Sequence, residues 1–155
     1  MFGEAARYAW ETYGLTPVFM AVEKGQDPAA ARQAAQALDG VPHYFLDDAG
    51  AAGTIIGALF RMKVVVSMRL HALIFAAGQG IPLAGVVYDP KVSAFLRYIG
   101  QENFTDLESL SPQALCAMID RAAAMSSDKE AQAEAVRRLQ SLERGNVDAL
   151  LFLKD

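Results

Sequence analysis

Apolar residues recur at helical spacing in several segments of the chain, and these segments carry start or stop signals. Residues 2–13 repeat apolar side chains every three or four positions until Gly14, which is typical of a helix end. Two later segments begin with a capping residue followed by proline at the first helical position, at Asp27-Pro28 and Ser111-Pro112. Asp128 predicts the cap of a last helix that ends at Gly145.

Between the helical segments lie short apolar runs that do not alternate polar with apolar residues. This pattern is typical of strands buried on both faces, as in a parallel sheet covered by helices on each side. Together with the intervening helices, the runs predict an α/β fold with a doubly wound parallel sheet flanked by helices. The runs are Pro17–Val22, Val41–Leu46, Lys63–Ser67 and Pro82–Tyr88.

The length of 155 residues suits one domain, so we expect a single α/β domain over 1–155 with a helical tail from about 111 to 155. The polar segment Glu102–Ser111 is interpreted as the linker to this tail. The chain opens on a helix, whereas an α/β domain of this kind usually opens on a strand. We therefore expect that a first strand is missing ahead of residue 1. The alternative is a fold that begins with a helix.

Composition and charge exclude several classes of protein. With 53% apolar and 21% charged residues, the chain is neither a disordered tail nor a coiled-coil rod. A net charge of -4 argues against a nucleic-acid-binding protein, which needs a basic face. One cysteine excludes an internal disulfide framework, and no apolar stretch is long enough for a transmembrane segment. The N-terminal residues lack the charged-then-apolar order of a signal peptide.

Two strand ends carry the residues that could perform chemistry. The run Lys63–Ser67 leads into Arg69 and His71, and the run Pro82–Tyr88 leads into Asp89 and Lys91. In an open α/β sheet, ligands bind beyond the carboxyl ends of the strands, where helix N-termini also favour anions. Three potential cations at such an edge predict a bound carboxylate or phosphate. His71 is the best general acid or base in the sequence.

Structural roles compete with these functional ones. Asp89 either orients Lys91 or His71, or only caps the helix that starts at Pro90. His43 lies inside a strand pattern and is expected to pack there, and Cys116 is expected to fill a small apolar site on a helix. The histidines and the cysteine do not form a metal-binding pattern. The segment Ala21–Asp27 occupies another strand end and receives no role.

The residues around these strand ends resemble the polysaccharide pyruvyl transferase family, with the bacterial cell-wall branch called CsaB as the most similar. The resemblance is dense over about 30 residues and extends more loosely from about Gly14 to Met125. It includes the arginine, histidine, aspartate and lysine in the order and spacing of the family. The residues that carry it are Ser67–Ala77, Gly80, Ile81, Pro82, Tyr88–Val92 and Phe95.

The resemblance implies a two-lobed, glycosyltransferase-B-like enzyme, of which this chain would be the Rossmann-like C-terminal lobe. It also implies transfer of pyruvate from phosphoenolpyruvate to a sugar of a secondary cell-wall polysaccharide precursor, N-acetylmannosamine in the bacterial branch, as a ketal. His71 would then be the catalytic acid/base residue. Arg69, Lys91 and Asp89 would belong to the substrate-binding site, and the scheme requires no metal or organic cofactor.

The partners implied by the resemblance are phosphoenolpyruvate, a lipid-linked or polymeric sugar acceptor, and an N-terminal lobe. Because that lobe would supply a further arginine and much of the acceptor site, we expect this chain alone to be catalytically silent. We expect a cytoplasmic protein, with a peripheral location at the inner membrane face where the acceptor is lipid-linked.

Two other functions remain open from the sequence: a nucleotide-sugar glycosyltransferase lobe, and a non-catalytic binding module. The apolar tail would suit docking on another lobe or subunit, although packing on its own sheet is the simpler expectation. The residues of this tail are Leu150, Leu151, Phe152 and Leu153.

Overall fold

A computed structural model describes residues 1–48 and 52–152, with side chains described up to residue 145. The α-helices are α1 (Phe2–Tyr13), α2 (Asp27–Ala35), α3 (Ala52–Leu59), α4 (Leu70–Gly78), α5 (Pro90–Tyr98), α6 (Pro112–Ser126) and α7 (Lys129–Phe152). The strands are β1 (Val18–Met20), β2 (Tyr44–Leu46), β3 (Val65–Ser67), β4 (Leu83–Val87) and β5 (Phe104–Asp106). The docking tail predicted at Leu150 to Leu153 lies outside the described side chains.

The strands are all parallel and form two sheets in the described part of the chain. In one sheet β1 pairs with β2, and in the other the order is β3-β4-β5. Helices separate consecutive strands, so the α/β fold with parallel sheets and flanking helices predicted from the sequence is confirmed. None of the described helices is both long enough and apolar enough to cross a membrane.

Local signals explain where several helices begin and end. Gly14 follows α1 with a φ of 65°, a left-handed conformation that glycine adopts without steric cost. The Ser111 hydroxyl accepts a hydrogen bond from the Ala114 N–H at 3.1 Å and caps α6, as predicted. The Asp128 carboxylate likewise accepts one from the Ala131 N–H, at 2.9 Å, at the start of α7.

Two of the predicted helix ends are wrong. Asp27 is the first residue of α2 rather than its cap, and the capping position falls on Gln26 with no side-chain hydrogen bond. The reason is that the Asp27 carboxylate accepts hydrogen bonds from Arg69 and from the N–H groups of Val22 and Glu23. The last helix does not stop at Gly145 but continues to Phe152. A single glycine inside a helix costs only about 1 kcal/mol, too little to end a helix of good helix formers.

The interpretation of Glu102–Ser111 as a linker is also wrong. This segment contains β5 and a short 3₁₀ helix, Leu107–Ser109. The strand is only three residues long, with register Gly85↔Phe104 to Val87↔Asp106 against β4. Such a short strand has too few residues for a periodic pattern, and it exists because β4 offers a free edge to pair with.

The central strand β4 is buried on both of its faces, as its continuous apolar run predicts. Leu83 and Val87 belong to one apolar cluster, together with residues of α4 and α5 such as Leu73 and Leu96. Ala84 and Val86 belong to a second cluster on the opposite face, which also includes residues of α1 and α6. The sheet therefore lies between two layers of helices.

One buried polar side chain joins β4, β5 and α6. The Asn103 side-chain amide, 5% exposed, donates to the carbonyl oxygens of Leu83 at 2.8 Å and Met118 at 2.9 Å. Its oxygen accepts a hydrogen bond from Arg121 at 2.8 Å. Because these bonds pair both the nitrogen and the oxygen of the amide, the Asn103 side chain can remain buried. They also fix α6 against the sheet.

We expect Gly3→Ala to destabilise the protein by about 1–3 kcal/mol. An added Cβ at Gly3 would lie 2.0 Å from the Ala34 carbonyl oxygen, so α1 and α2 would have to separate. The matched control is Gly57→Ala in exposed α3, where a Cβ would meet nothing within 4 Å. That change should stabilise by about 0.4–1 kcal/mol through helix propensity. Urea unfolding of both variants measures the difference, and equal effects would contradict the close contact.

Candidate functional site

The two strand ends singled out by the sequence lie side by side. β3 and β4 are hydrogen-bonded neighbours in parallel register, with Val65 opposite Leu83 and Ser67 opposite Gly85. The segments that follow them, with Arg69 and His71 after β3 and Asp89 after β4, therefore leave the sheet at the same edge. Neighbouring strands are about 4.8 Å apart, so this edge can present both segments to one small ligand.

Arg69 forms an ion pair with a residue far away in the sequence. Its Nη2 lies 2.5 Å and its Nε 3.2 Å from the same carboxylate oxygen of Asp27. The Arg69 side chain is 29% exposed and that of Asp27 is 19% exposed, so the pair is partly shielded from water. The bonds from Nε and Nη2 leave the other N–H groups of the guanidinium without an acceptor among the described residues. Arg69 is thus oriented by Asp27 and can still bind a further anion.

The Asp27 carboxylate also fixes the loop after β1. Its second oxygen accepts hydrogen bonds from the N–H groups of Val22 at 3.0 Å and Glu23 at 2.8 Å. Burial by itself would raise the pKa of Asp27, but the hydrogen bonds from Arg69, Glu23 and Val22 outweigh it and lower that pKa. The main cause of the raised pKa of Arg69 is its bond to Asp27.

The pairing of Asp27 with Arg69 differs from the capping role that the sequence predicts for Asp27. The available signal was the position of Asp27 in the segment that follows β1, because Arg69 likewise follows the end of a strand, β3. A capping interpretation of Asp27-Pro28 hid it, because both roles use the same carboxylate. Ala21–Asp27 therefore has a structural role, which is to hold Arg69 through Asp27.

His71 lies in the first turn of α4, two residues after Arg69, which occupies the capping position of that helix. The His71 side chain is exposed, and its ring centroid is 6.4 Å from that of Phe75 one turn later. It makes no hydrogen bond within the described residues, so its ring nitrogens are accessible to a ligand. No side-chain hydrogen bond caps α4, so its N-terminus remains open to an anion.

Asp89 and Lys91 interact with each other at the end of β4. The Asp89 carboxylate caps α5 by accepting a hydrogen bond from the Lys91 N–H at 2.9 Å, and its other oxygen is 3.4 Å from Lys91 Nζ. The backbone hydrogen bond from Lys91 is the main reason why the pKa of Asp89 is lowered. Because the carboxylate already occupies the N-terminus of α5, the open N-terminus of α4 is the better place for an anion.

Arg69 lines a cavity of about 650 Å³ that lies between β1 and β3. Ser67 and Ala72 lie beside it, and most of the remaining lining is apolar. His71, Asp89 and Lys91 are not among the described residues that line this cavity. No hydrogen bond or ion pair within the described residues joins Arg69, His71 and Lys91, so their convergence on one ligand stays a prediction.

The other candidate side chains have structural surroundings. His43 is partly buried, with its Nδ1 2.8 Å from the Val41 carbonyl oxygen and its ring edge-on to those of Phe19 and Phe45. Cys116 is partly buried against the second apolar cluster, and burial raises its pKa, so its thiol is a poor nucleophile. Within residues 1–48 and 52–152, no group of three His, Cys, Asp or Glu side chains could hold a metal ion.

Comparison with known protein families gives one match, to the family described as Polysaccharide pyruvyl transferase, over residues 37–90. The matched segment runs from the end of the α2 region through β4, and includes Arg69, His71 and Asp89 but ends one residue before Lys91. The search of curated proteins gave no match, and neither did the search of solved structures. The match confirms the family resemblance predicted from the sequence, while the CsaB branch stays a prediction. The similarity to the polysaccharide pyruvyl transferase family thus covers residues 37–90, about a third of the chain.

Proposed function

We propose that this chain takes part in the transfer of pyruvate from phosphoenolpyruvate to two hydroxyl groups of a sugar in a polysaccharide precursor. The observation that carries the proposal is the arrangement at the start of α4. There an oriented arginine, an exposed histidine and an uncapped helix N-terminus adjoin one another inside the segment that matches the family. The acceptor implied by the resemblance is N-acetylmannosamine in a secondary cell-wall polysaccharide precursor.

Phosphoenolpyruvate is a small and highly charged anion, and this edge of the sheet supplies the groups to bind it. Arg69 can offer its free N–H groups to a carboxylate or a phosphate as charge-assisted hydrogen bonds. The N-terminus of α4 adds backbone N–H groups and a partial positive charge. Lys91, held by Asp89 at 3.4 Å, is the second cation and lies at the neighbouring strand end.

The reaction needs an acid/base residue because protons move as the ketal forms. Two C–O bonds form between the sugar hydroxyls and C2 of the donor, and the C–O bond to phosphate breaks. One of the two hydroxyl protons ends on the methylene carbon, which becomes a methyl group, and the other on the departing phosphate. His71 is the residue that would move them, and the nearby cations would stabilise the charge on the leaving phosphate.

The remainder of the proposed enzyme is an N-terminal lobe that contributes a further arginine and much of the acceptor site. For this reason we expect no ketal formation by the chain alone. The donor is a cytoplasmic metabolite, which is the reason for proposing a cytoplasmic enzyme that meets a lipid-linked acceptor at the inner membrane face.

Binding of phosphoenolpyruvate to the chain tests the proposal without requiring turnover. We expect phosphoenolpyruvate to raise the melting temperature, and Arg69→Gln to weaken binding roughly tenfold or more, since a charge-assisted hydrogen bond is worth about 1.5–3 kcal/mol. Lys91→Gln should weaken binding by about fivefold or less because that side chain is exposed. Lys129→Gln, at the start of α7, is the control that should change nothing. Titration calorimetry gives the dissociation constants.

The two other functions predict different results in the same experiment. A nucleotide-sugar glycosyltransferase lobe would be stabilised by a nucleotide sugar and not by phosphoenolpyruvate. A non-catalytic module would be stabilised by neither. Binding of phosphoenolpyruvate that is unchanged in Arg69→Gln would contradict the proposed site.

A further inference from the structure

Among the described strands, β1, β2, β3 and β5 each have one edge without a strand partner. The open edges of β1 and β3 border the same cavity. Within residues 1–48 and 52–152, β1 pairs only with β2, and β3 pairs only with β4. The cavity of about 650 Å³ is lined by every residue of Val18–Met20 and of Val65–Ser67. We call this cavity the slot.

The hydrogen-bonding pattern shows which backbone groups border the slot. The Tyr44 N–H donates to the Pro17 carbonyl at 3.0 Å, and the Ala21 N–H donates to the Leu46 carbonyl at 3.0 Å. In a parallel ladder successive residues direct their N–H and C=O groups to opposite sides. Residues 17, 19 and 21 therefore face β2, and the backbone groups of Val18 and Met20 face the slot.

The same reasoning applies to β3. The Val65 N–H donates to the Pro82 carbonyl at 3.0 Å, so Val65 faces β4. The N–H and C=O of Val66, the next residue, then face the slot. A cavity with open backbone edges on two of its sides differs from an ordinary ligand pocket, because backbone donors and acceptors need hydrogen-bond partners.

Apolar side chains form the other two walls of the slot. Ala5 of α1, and Leu115 and Ile119 of α6, lie in the cluster on one face of the sheet. Leu59 lies in the cluster on the opposite face. An occupant must therefore be apolar on both faces and must supply backbone groups along both edges, as β4 does between β3 and β5.

We propose that the slot holds one further β-strand, parallel to β1 and β3, from a polypeptide segment joined to the N-terminal end of α1. A small apolar ligand would leave the edges of β1 and β3 unpaired, whereas a strand pairs with both. A strand that continues through α1 into β1 is also the standard connection between adjacent parallel strands. The inference does not rest on the proposed function.

The added strand would join the two sheets into one, in the order β2-β1-added strand-β3-β4-β5. Along the chain, β1 and β2 would then lie on one side of the added strand and β3, β4 and β5 on the other. The strand order therefore reverses next to the added strand. In open α/β sheets, ligands bind at the carboxyl ends of the strands where this reversal occurs. Arg69 follows β3 at this point and lines the slot, so the added strand would complete the crevice next to it.

The test extends the chain ahead of Met1 with five apolar residues, Val-Ile-Val-Leu-Val, and a loop of about three residues. We expect a higher melting temperature and at least about tenfold slower hydrogen exchange at the Val18, Met20 and Val66 amides. The matched control carries proline at the second and fourth of the five positions, which removes N–H groups and prevents pairing. Equal exchange at these amides in the two extended proteins would overturn the proposal.

If the extended chain does not fold, a free peptide provides a second test of the added strand. The same five residues are supplied as a free capped peptide to the chain of 155 residues. Slower exchange at the same three amides, and not with the proline peptide, supports the strand. Faster or unchanged exchange at these amides in excess peptide overturns the proposal of an added strand. This outcome does not depend on whether the chain binds phosphoenolpyruvate.

Discussion

His71→Ala should lower the rate of pyruvyl transfer by about 10²–10⁴-fold, the usual effect of losing a general acid/base group. The measurement is phosphate release and ketal formation from phosphoenolpyruvate and a mannosamine-containing acceptor, in a protein that contains both lobes. The side chain is exposed and makes no hydrogen bond to the described residues, so its removal should leave the melting temperature nearly unchanged. Binding of phosphoenolpyruvate should also persist, because the proposed anion-binding groups remain.

Two controls separate a chemical role of His71 from a structural one. Added imidazole should restore part of the rate to His71→Ala, since it supplies the missing acid/base group, whereas a structural defect would not respond. The other histidine of the chain provides the matched variant. His43 contacts Phe19 and Phe45 of the sheet formed by β1 and β2, and His43→Ala should retain turnover. Full activity in His71→Ala would remove the proposed catalytic role.

Asp27→Asn should destabilise the protein by about 1–2 kcal/mol at neutral pH. Breaking a fully buried ion pair costs about 3–5 kcal/mol, and the partial exposure of this pair reduces that figure. The substitution leaves Arg69 without its counter-charge and weakens the bonds to the N–H groups of Val22 and Glu23. Asp47→Asn is the matched control, because Asp47 also pairs with an arginine, Arg32, but at a more exposed site. Its loss should stay below about 1 kcal/mol.

The effect of pH provides an independent check on Asp27. Its pKa in the folded protein lies below the ordinary value of 3.8, so the folded state favours the charged form. The stabilisation is therefore complete above the ordinary pKa and is lost as the pH falls through the lower folded value. The difference in unfolding free energy between the wild type and Asp27→Asn should shrink below pH 4. A difference that does not change with pH would show that the charge of Asp27 is not the cause.

Asp27 also serves as a positioning residue in the proposed site. Because it holds two nitrogen atoms of Arg69, Asp27→Asn should weaken phosphoenolpyruvate binding, but less than Arg69→Gln does. Unchanged binding in Asp27→Asn would mean that the ion pair serves stability alone.

Local physical chemistry explains why so much of the fold could be predicted from the sequence. The continuous apolar run that contains β4 predicts a strand buried on both faces, because a sheet with helices on each side has no polar face. Ser111 and Asp128 predict helix starts because a cap depends only on residues a few positions away. The motif around Arg69 and His71 also indicated the resemblance to the pyruvyl transferase family, since its residues lie within about 30 positions of one another.

Other features depended on contacts between distant parts of the chain, which local patterns do not encode. The three residues of β5 become a strand only beside the free edge of β4. Asp27 carries a capping pattern, yet its carboxylate binds Arg69 of the loop after β3 and does not cap α2. The sequence by itself determined most of the helices and strands and the parallel arrangement of the strands, because these follow from spacing and composition. Only the tertiary structure decided which charges pair and which strand edges stay open, because both depend on how the elements pack together.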